Sequence, residues 1–291
     1  RIQARGRRVA IVSRGYKGRL EKSGGVVSDG GQILGDAKAA GDEPLMLAAC
    51  LPGVPVLVGR NRLASIQRAV EAFKTEVVIL DDGFQHIRVQ RNLDLVLMDR
   101  RAPLGNGRLL PAGPLREPPR ALKRAQALIL MEKQVEPPPK PPPLALDDLD
   151  LPIIAATIRP LVRGLVPAGE PPTLEVLQQS APRAAAQFRG LRIFGFSGIA
   201  NNAHFKRTLT DFGWTLAGFS GFDDHHDYSQ AERVSIRDAA RRSGTELMAT
   251  TEKDYVRLLS HGPWPLGLIV VGIEIDIQAP EALEALIESC L

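Results

Sequence analysis

At 291 residues, with 44% apolar and 24% charged side chains, the chain has room for one large or two ordinary domains and the composition of a globular protein. A formal charge of +4 and an aromatic content of only 5% give no RNA-binding signature. The arginines at Arg1–Arg8, Arg60–Arg68 and Arg116–Arg124 can face water, phosphates or an anionic membrane surface. Cys50 and Cys290 are too few for a disulfide framework or a cysteine metal site, which fits a reducing compartment, and no apolar run approaches the roughly 18–20 residues that span a bilayer.

Val9–Val12 predicts a first strand almost at the start of the chain, and residue 1 is Arg rather than Met. Strands of a parallel sheet enter through a helix or an earlier strand, so the natural N-terminus is expected upstream. Ser13-Arg14-Gly15-Tyr16-Lys17-Gly18 follows at the strand's carboxyl edge, as a phosphate or sugar contact or simply a tight turn. Gly41-Asp42-Glu43-Pro44 opens a helix through Leu45–Cys50. Acids in a first turn suit the helix dipole and serve as caps; Asp42 becomes a general base if it faces phosphates.

Further strands are predicted at 54–58, 77–80, 94–98 and 127–131. A helix over Leu63–Phe73, with apolar positions 63, 66, 70 and 73, lies between two of them. This alternation predicts an α/β fold with a mainly parallel, doubly wound sheet. Val77–Leu80 reads as a fully buried strand delivering Asp81 and Asp82 to its carboxyl end, where open α/β sheets bind ligands and where P-loop enzymes hold Mg²⁺. Gly83 then supplies a sharp turn before Phe84-Gln85-His86. Gly105–Pro118 is a long Gly- and Pro-rich loop in which Arg116 offers a guanidinium for phosphate and Glu117 a hard oxygen ligand.

The proline-rich stretch 137–143 reads as a stiff connector between a core at 1–146 and a smaller α/β domain at 152–291. In the latter, strands are predicted at Ile153–Ile158, Arg192–Phe196, Glu246–Ala249 and Leu266–Ile275. Helices are predicted at Asn201–Phe212, Gln230–Ser243 and Leu283–Leu291. Asp223-Asp224-His225-His226-Asp227-Tyr228 crowds titratable groups into one turn, as a metal cluster, an Asp–His proton pair or an exposed loop. Thr251-Glu252-Lys253-Asp254 follows a strand, as a nucleotide contact or as a cap and ion pair.

Ser13-Arg14-Gly15-Tyr16, Gly41–Pro44, Asp81–His86, Gly105–Pro118, Asp223–Tyr228 and Thr251–Asp254 together resemble the tetraacyldisaccharide 4′-kinase family of Gram-negative bacteria, in the family's order and over essentially the whole chain. The resemblance implies a P-loop-kinase-like core with a smaller α/β domain. It also implies ATP and Mg²⁺ as cofactors, and phosphorylation of the 4′-hydroxyl of an acylated glucosamine disaccharide 1-phosphate in lipid A synthesis. Asp42 resembles the catalytic base and His225 its partner, brought from the second domain. Asp81, Asp82 and Glu117 fall on the metal side, Gln85, His86 and Arg116 on the nucleotide and phosphate side, and Arg14, Glu43, Asn61, Arg62 and Asp224 on the substrate side. The family carries a Walker-A loop and a membrane-associating helix before the first strand seen here, so the chain as given is expected to turn over little. The implied partners are the acylated lipid and the anionic cytoplasmic face of the inner membrane, with no nucleic acid and no obligate protein partner. Two other readings are a metal-dependent phosphoesterase built on Asp224-His225-His226 and a non-catalytic module that binds the lipid headgroup.

Overall fold

The computed structural model describes residues 1–133, 150–178 and 183–291. The proline-rich stretch 137–143, expected as the connector, lies outside them. The described chain gathers into two compact units, each assembled from two separate segments: Arg1–Asp81 with Pro160–Gly272, and Asp82–Arg159 with Ile273–Leu291.

In the first unit, β1 (Val9–Ser13), β2 (Gly25–Asp29), β3 (Pro55–Val58) and β4 (Val77–Leu80) form a sheet in the order β2-β3-β1-β4. Strand β1 runs parallel to β3 and β4, while β2 joins β3 antiparallel. The helices α1 (Leu20–Ser23), α2 (Ala37–Ala40), α3 (Asp42–Cys50) and α4 (Arg62–Phe73) connect these strands. Central strands β1 and β3 are buried at every position, as two covered faces require. Strand β4 departs from the expectation of full burial: it is the edge strand, and Ile79 is 44% exposed.

Helix α4 also faces differently from its apolar periodicity. Leu63 and Val70 are exposed, and the buried side carries Arg62, Ser65 and Ala69, with Ile66 and Phe73 packed towards Val12 and Leu57. Two of the four expected positions, 66 and 73, therefore face the core.

The rest of the chain contributes β5 (Leu95–Asp99), β6 (Ala127–Lys133), β7 (Ile153–Val166), α5 (Glu175–Gln178), β8 (Arg192–Ser197), α6 (Asn202–Asp211) and β9 (Thr215–Gly221). These are followed by α7 (Gln230–Arg242), β10 (Leu247–Thr251), α8 (Glu252–Leu258), β11 (Gly267–Ile277) and α9 (Pro280–Glu288). In the first unit β9, β8, β10 and β11 are parallel neighbours; in the second, β5, β6 and β7 are. Strands β8 and β9 fit through paired exchanges: Gly195 opposes Phe219 and Phe194 opposes Gly218. A Cβ on either glycine would sit 2.7 Å from the ring opposite, so each glycine makes room for its neighbour's aromatic side chain.

One packing relationship positions the site. Leu45, Ala48 and Ala49 of α3 share a buried cluster with Tyr255, Val256 and Leu258 of α8, backed by the stacked rings of Phe196 and Trp264. Burying these apolar faces against each other brings the first turn of α3 to the polar edge of α8. No helix among the described residues is long and apolar enough to cross a membrane.

Candidate active site

Asp42 occupies the first turn of α3, yet its side chain does not cap the helix. The N-cap is Gly41 at φ +87, a left-handed value that glycine adopts without a Cβ penalty. The first strand's turn lies flat against it: a Cβ on Gly18 would meet the Ala39 carbonyl oxygen at 2.6 Å, and one on Gly41 would meet the Tyr16 carbonyl oxygen at 2.9 Å. Two of the sequence motifs thus meet backbone to backbone, and the contact aims Asp42.

The carboxylate so aimed receives two donors on one oxygen. His225 Nδ1 lies 2.9 Å from Asp42 Oδ2, and Arg257 Nη2 lies 2.6 Å from the same atom. His225 arrives from the turn between β9 and α7 with φ +62, a conformation costly for a non-glycine residue and held by its amide bond to the Gly198 carbonyl. Asp42 and His225 belong to the same compact unit, so the pair forms within it rather than by the arrival of a second domain. Burial works against the charge on Asp42, but the Arg257 guanidinium and the His225 contact outweigh it and hold the carboxyl below its usual range.

Arg257 was not singled out by the sequence, where it is one arginine among many. Its only signal is an apolar setting, Tyr255-Val256-Arg257-Leu258-Leu259. The side chain is 4% exposed, and its Nη1 lies 2.9 Å from Asp254 Oδ1. Asp254 is fully buried and also accepts from Tyr228 Oη at 2.9 Å, Gly198 N at 3.0 Å and Thr251 Oγ1 at 2.7 Å. Burial raises its pKa, and four donors offset the cost of leaving water. Thr251 caps α8 and Asp254 anchors Arg257, so both serve the structure of this helix.

Lys253, on the same helix, lies 3.3 Å from His225 Nε2, 3.2 Å from Asp224 Oδ1 and 3.3 Å from Glu43 Oε1. Asp224 and Glu43 thus gather around the pair. His226 turns to Glu232 at 3.0 Å instead. Among the described residues no group of three or more His, Cys, Asp or Glu side chains is arranged to hold a metal ion. Asp224-His225-His226 is therefore a set of polar contacts to Lys253, Asp42 and Glu232, and the phosphoesterase reading gains nothing from it.

The other residues of the first unit divide. Arg14 pairs with Glu21 at 2.8 Å and remains exposed. Asn61 caps α4 through the Ala64 amide. Arg62, expected at a headgroup, is 5% exposed and donates to the Gly59 carbonyl at 2.7 Å and the Asp81 carbonyl at 3.5 Å, as a brace between strand ends. Asp81 accepts from Ser13 Oγ at 2.8 Å through Oδ2, and its Oδ1 has no hydrogen-bond partner among the described residues.

In the second unit, Asp82 rather than Gly83 makes the sharp turn, with φ +49, while Gly83 does not take a positive φ. Both oxygens of Asp82 face Arg116 Nη1, at 2.9 and 2.7 Å. Glu117 binds Arg124 at 2.6 Å, and Arg124 covers the Phe84 ring at 4.5 Å. These contacts join the 82–86 turn to the Gly105–Pro118 loop, which braces itself through Asn106 and the Leu110–Leu115 backbone bond. Gln85 is exposed and His86 half-buried. Of the three expected metal ligands, Asp82 and Glu117 are engaged by arginines, whereas Asp81 keeps one oxygen open. That donor set fits a Mg²⁺ ion carried mainly by phosphates and water, which needs only one or two protein carboxylates.

Residues 1–291 match the family described as tetraacyldisaccharide-1-P 4′-kinase. The tetraacyldisaccharide 4′-kinase of Geobacter metallireducens is 38% identical, the match covering all of this chain and 81% of the relative; that of Syntrophus aciditrophicus is 35% identical over 97% and 75%. The crystal structure of LpxK from Aquifex aeolicus in complex with ATP shares the fold with a TM-score of 0.72 and 28% identity, over 99% of this chain and 80% of that one. The α/β, P-loop-kinase-like fold implied by the sequence is therefore that of a solved relative. With the family match running over residues 1–291 and relatives at this identity, the chain belongs to the tetraacyldisaccharide-1-P 4′-kinase family.

Proposed function

We propose that the protein transfers the γ-phosphoryl group of ATP to the 4′-hydroxyl of a tetraacylated glucosamine disaccharide 1-phosphate, working as a peripheral enzyme at the cytoplasmic face of the inner membrane. The observation that carries this reading is Asp42: a carboxylate fixed by two donors on Oδ2, with Oδ1 lacking a partner among the described residues, in a chain of this family.

Such an Asp42 accepts the hydrogen bond of an acceptor hydroxyl through Oδ1 and points the oxygen's lone pair at phosphorus. As the O4′–P bond forms and the bond from Pγ to the ADP oxygen breaks, the hydroxyl proton becomes acidic and passes to Asp42, then to water. A carboxylate held below its ordinary pKa is a weak base, which suits a loose phosphoryl transition state in which little nucleophile bonding precedes cleavage. Mg²⁺, when bound with ATP, neutralises charge on the phosphates, and Asp81 Oδ1 is the oxygen we assign to it. Arg14, exposed in the same unit as Asp42, supplies positive charge for the headgroup phosphate.

The test is transfer of label from γ-³²P-ATP with Mg²⁺ to the disaccharide 1-phosphate, by the protein expressed from its complete reading frame. Label at the 4′ position is expected. ATP-independent release of phosphate, or headgroup binding without any transfer, would replace this reading with one of the other two.

A further inference from the structure

Lys253 and Arg257 stand four residues apart on α8, so they share one face of the helix. Each touches a different member of the Asp42–His225 pair. Lys253 Nζ meets His225 Nε2 at 3.3 Å, and Arg257 Nη2 meets Asp42 Oδ2 at 2.6 Å.

The chemistry of these donors fixes the direction of every bond. An ammonium carries three N–H donors and no lone pair, so Nε2 of His225 has to accept. The ring's single proton then sits on Nδ1 and is donated to Asp42 Oδ2 across 2.9 Å. A guanidinium likewise only donates, so Oδ2 of Asp42 receives two hydrogen bonds and carries no proton, and the Arg257 charge beside it favours the ionised carboxylate.

We infer that Lys253 and Arg257 are positioning residues that lock the pair into one protonation pattern, with His225 protonated on Nδ1 and Asp42 ionised with only Oδ1 left for the acceptor hydroxyl. Its use in catalysis rests on the proposed function; the pattern itself does not.

The remaining charges around the pair are consistent with the lock. Asp224 Oδ2 lies 3.7 Å from His225 Nε2 and would favour a second ring proton, but its other oxygen is bonded to Lys253, as is Glu43. The Tyr16 ring meets the imidazole edge-on with centroids 6.0 Å apart. Behind Arg257 stands Asp254, held in turn by the buried Tyr228 hydroxyl. Arg257 thus keeps its charge in a buried place by lying between two carboxylates, and its pKa is raised by Asp42 and Asp254 against the effect of burial. Lysine at 257 would retain the charge but lose the two-ended reach.

The test has two arms. In protein labelled with ¹⁵N-histidine, long-range ¹H–¹⁵N correlations report which ring nitrogen of His225 is protonated, with His225→Gln used to assign the signal. The Nδ1–H tautomer is expected, and Lys253→Met should convert it to a mixture. An Nε2–H ring in the protein, or a tautomer indifferent to Lys253→Met, would overturn the lock.

The second arm follows kcat against pH. Replacing Arg257 alone leaves Asp254 unpaired, so the double variant Asp254→Asn/Arg257→Met removes both charges together, and Arg257→Lys provides a folded alternative. The acid limb should move up by about 1–3 pH units in the double variant, the usual effect of an arginine beside an aspartate. KM should hold, and Arg257→Lys should bring most of the limb back. A fall in kcat with the limb unmoved in both variants would reduce Arg257 to a structural residue and overturn its part of the inference. Absence of transfer by the unmodified protein, with the tautomer as expected, would sink the proposed function and leave the lock standing.

Discussion

Asp42 and His225 stand 183 positions apart and meet at 2.9 Å, Nδ1 to Oδ2. One comes from the first turn of a helix, the other from a left-handed turn residue, and neither position caps its own element.

Because His225 acts through the carboxylate it holds, their removal should not add. Asp42→Ala and His225→Ala should each lower kcat by about 10²–10⁴-fold, the usual scale for acid–base groups, and the double variant should lose little more than the worse single one. Glu43→Ala, which loses only an exposed contact to Lys253, should alter KM more than kcat. Steady-state kinetics on the four variants decides this; losses that multiply would mean two independent groups.

The charge on Asp42 also links stability to pH. Its pKa is held below the ordinary 3.8, so the ionised form stabilises the fold fully above that pH. The contribution is lost as pH falls through the lower, folded value. Urea midpoints of the protein and of Asp42→Asn should therefore differ most near neutrality and converge in acid. A gap that stays constant to the lowest accessible pH would contradict an ionised Asp42.

At the second unit's loop, the ion pairs are exposed and contribute little to stability, within about 1 kcal/mol each. Asp82→Ala and Glu117→Ala should then leave the melting temperature nearly unchanged while lowering kcat, with a loss that varies with Mg²⁺ concentration if these acids reach the metal during turnover. Full activity in both variants at low Mg²⁺ would remove them from the metal side.

Gly41→Ala tests how Asp42 is aimed. The new Cβ would press on the Tyr16 carbonyl oxygen at 2.9 Å in a backbone conformation that disfavours it, at a cost of about 1–3 kcal/mol. Calorimetry should show the destabilisation, and kcat should fall although no polar group has been removed. Unchanged kcat in a folded variant would separate the backbone contact from the aiming of Asp42.

The sequence was legible where a pattern is local. Apolar runs located β1, β3 to β6, β8 and β10 within a residue or two, and the acids after β4 stood out because carboxyl ends of strands gather ligands. Two strands escaped. Gly25–Asp29 and Thr215–Gly221 contain glycines and few consecutive apolar residues; Gly218 is there because the Phe194 ring needs the space, a reason that lies on the neighbouring strand. The exposed side of α4 was misjudged because periodicity reports a stripe without saying which neighbour covers it, and here Arg62 and Ser65 took buried places through hydrogen bonds to carbonyls. Arg257 escaped for a related reason. A buried guanidinium is recognised by the two carboxylates that receive it, and those sit 3 and 215 positions away.

The chain order of the two compact units has a consequence for biosynthesis. The first unit needs residues up to Gly272 and the second needs those up to Leu291, although the second begins at Asp82. During translation neither can finish before Pro160–Gly272, which follows the long first segment of the second unit, has been made. Asp42 waits through 183 further residues for His225 and 215 for Arg257. A nascent chain stalled anywhere before α8 would present unclosed sheets and an unpartnered α3, the kind of surface that chaperones hold. Severing the gene at the proline-rich stretch would leave two polypeptides, each carrying part of both units, so recovery of activity from such a pair would have to proceed by joint folding rather than by docking of finished halves.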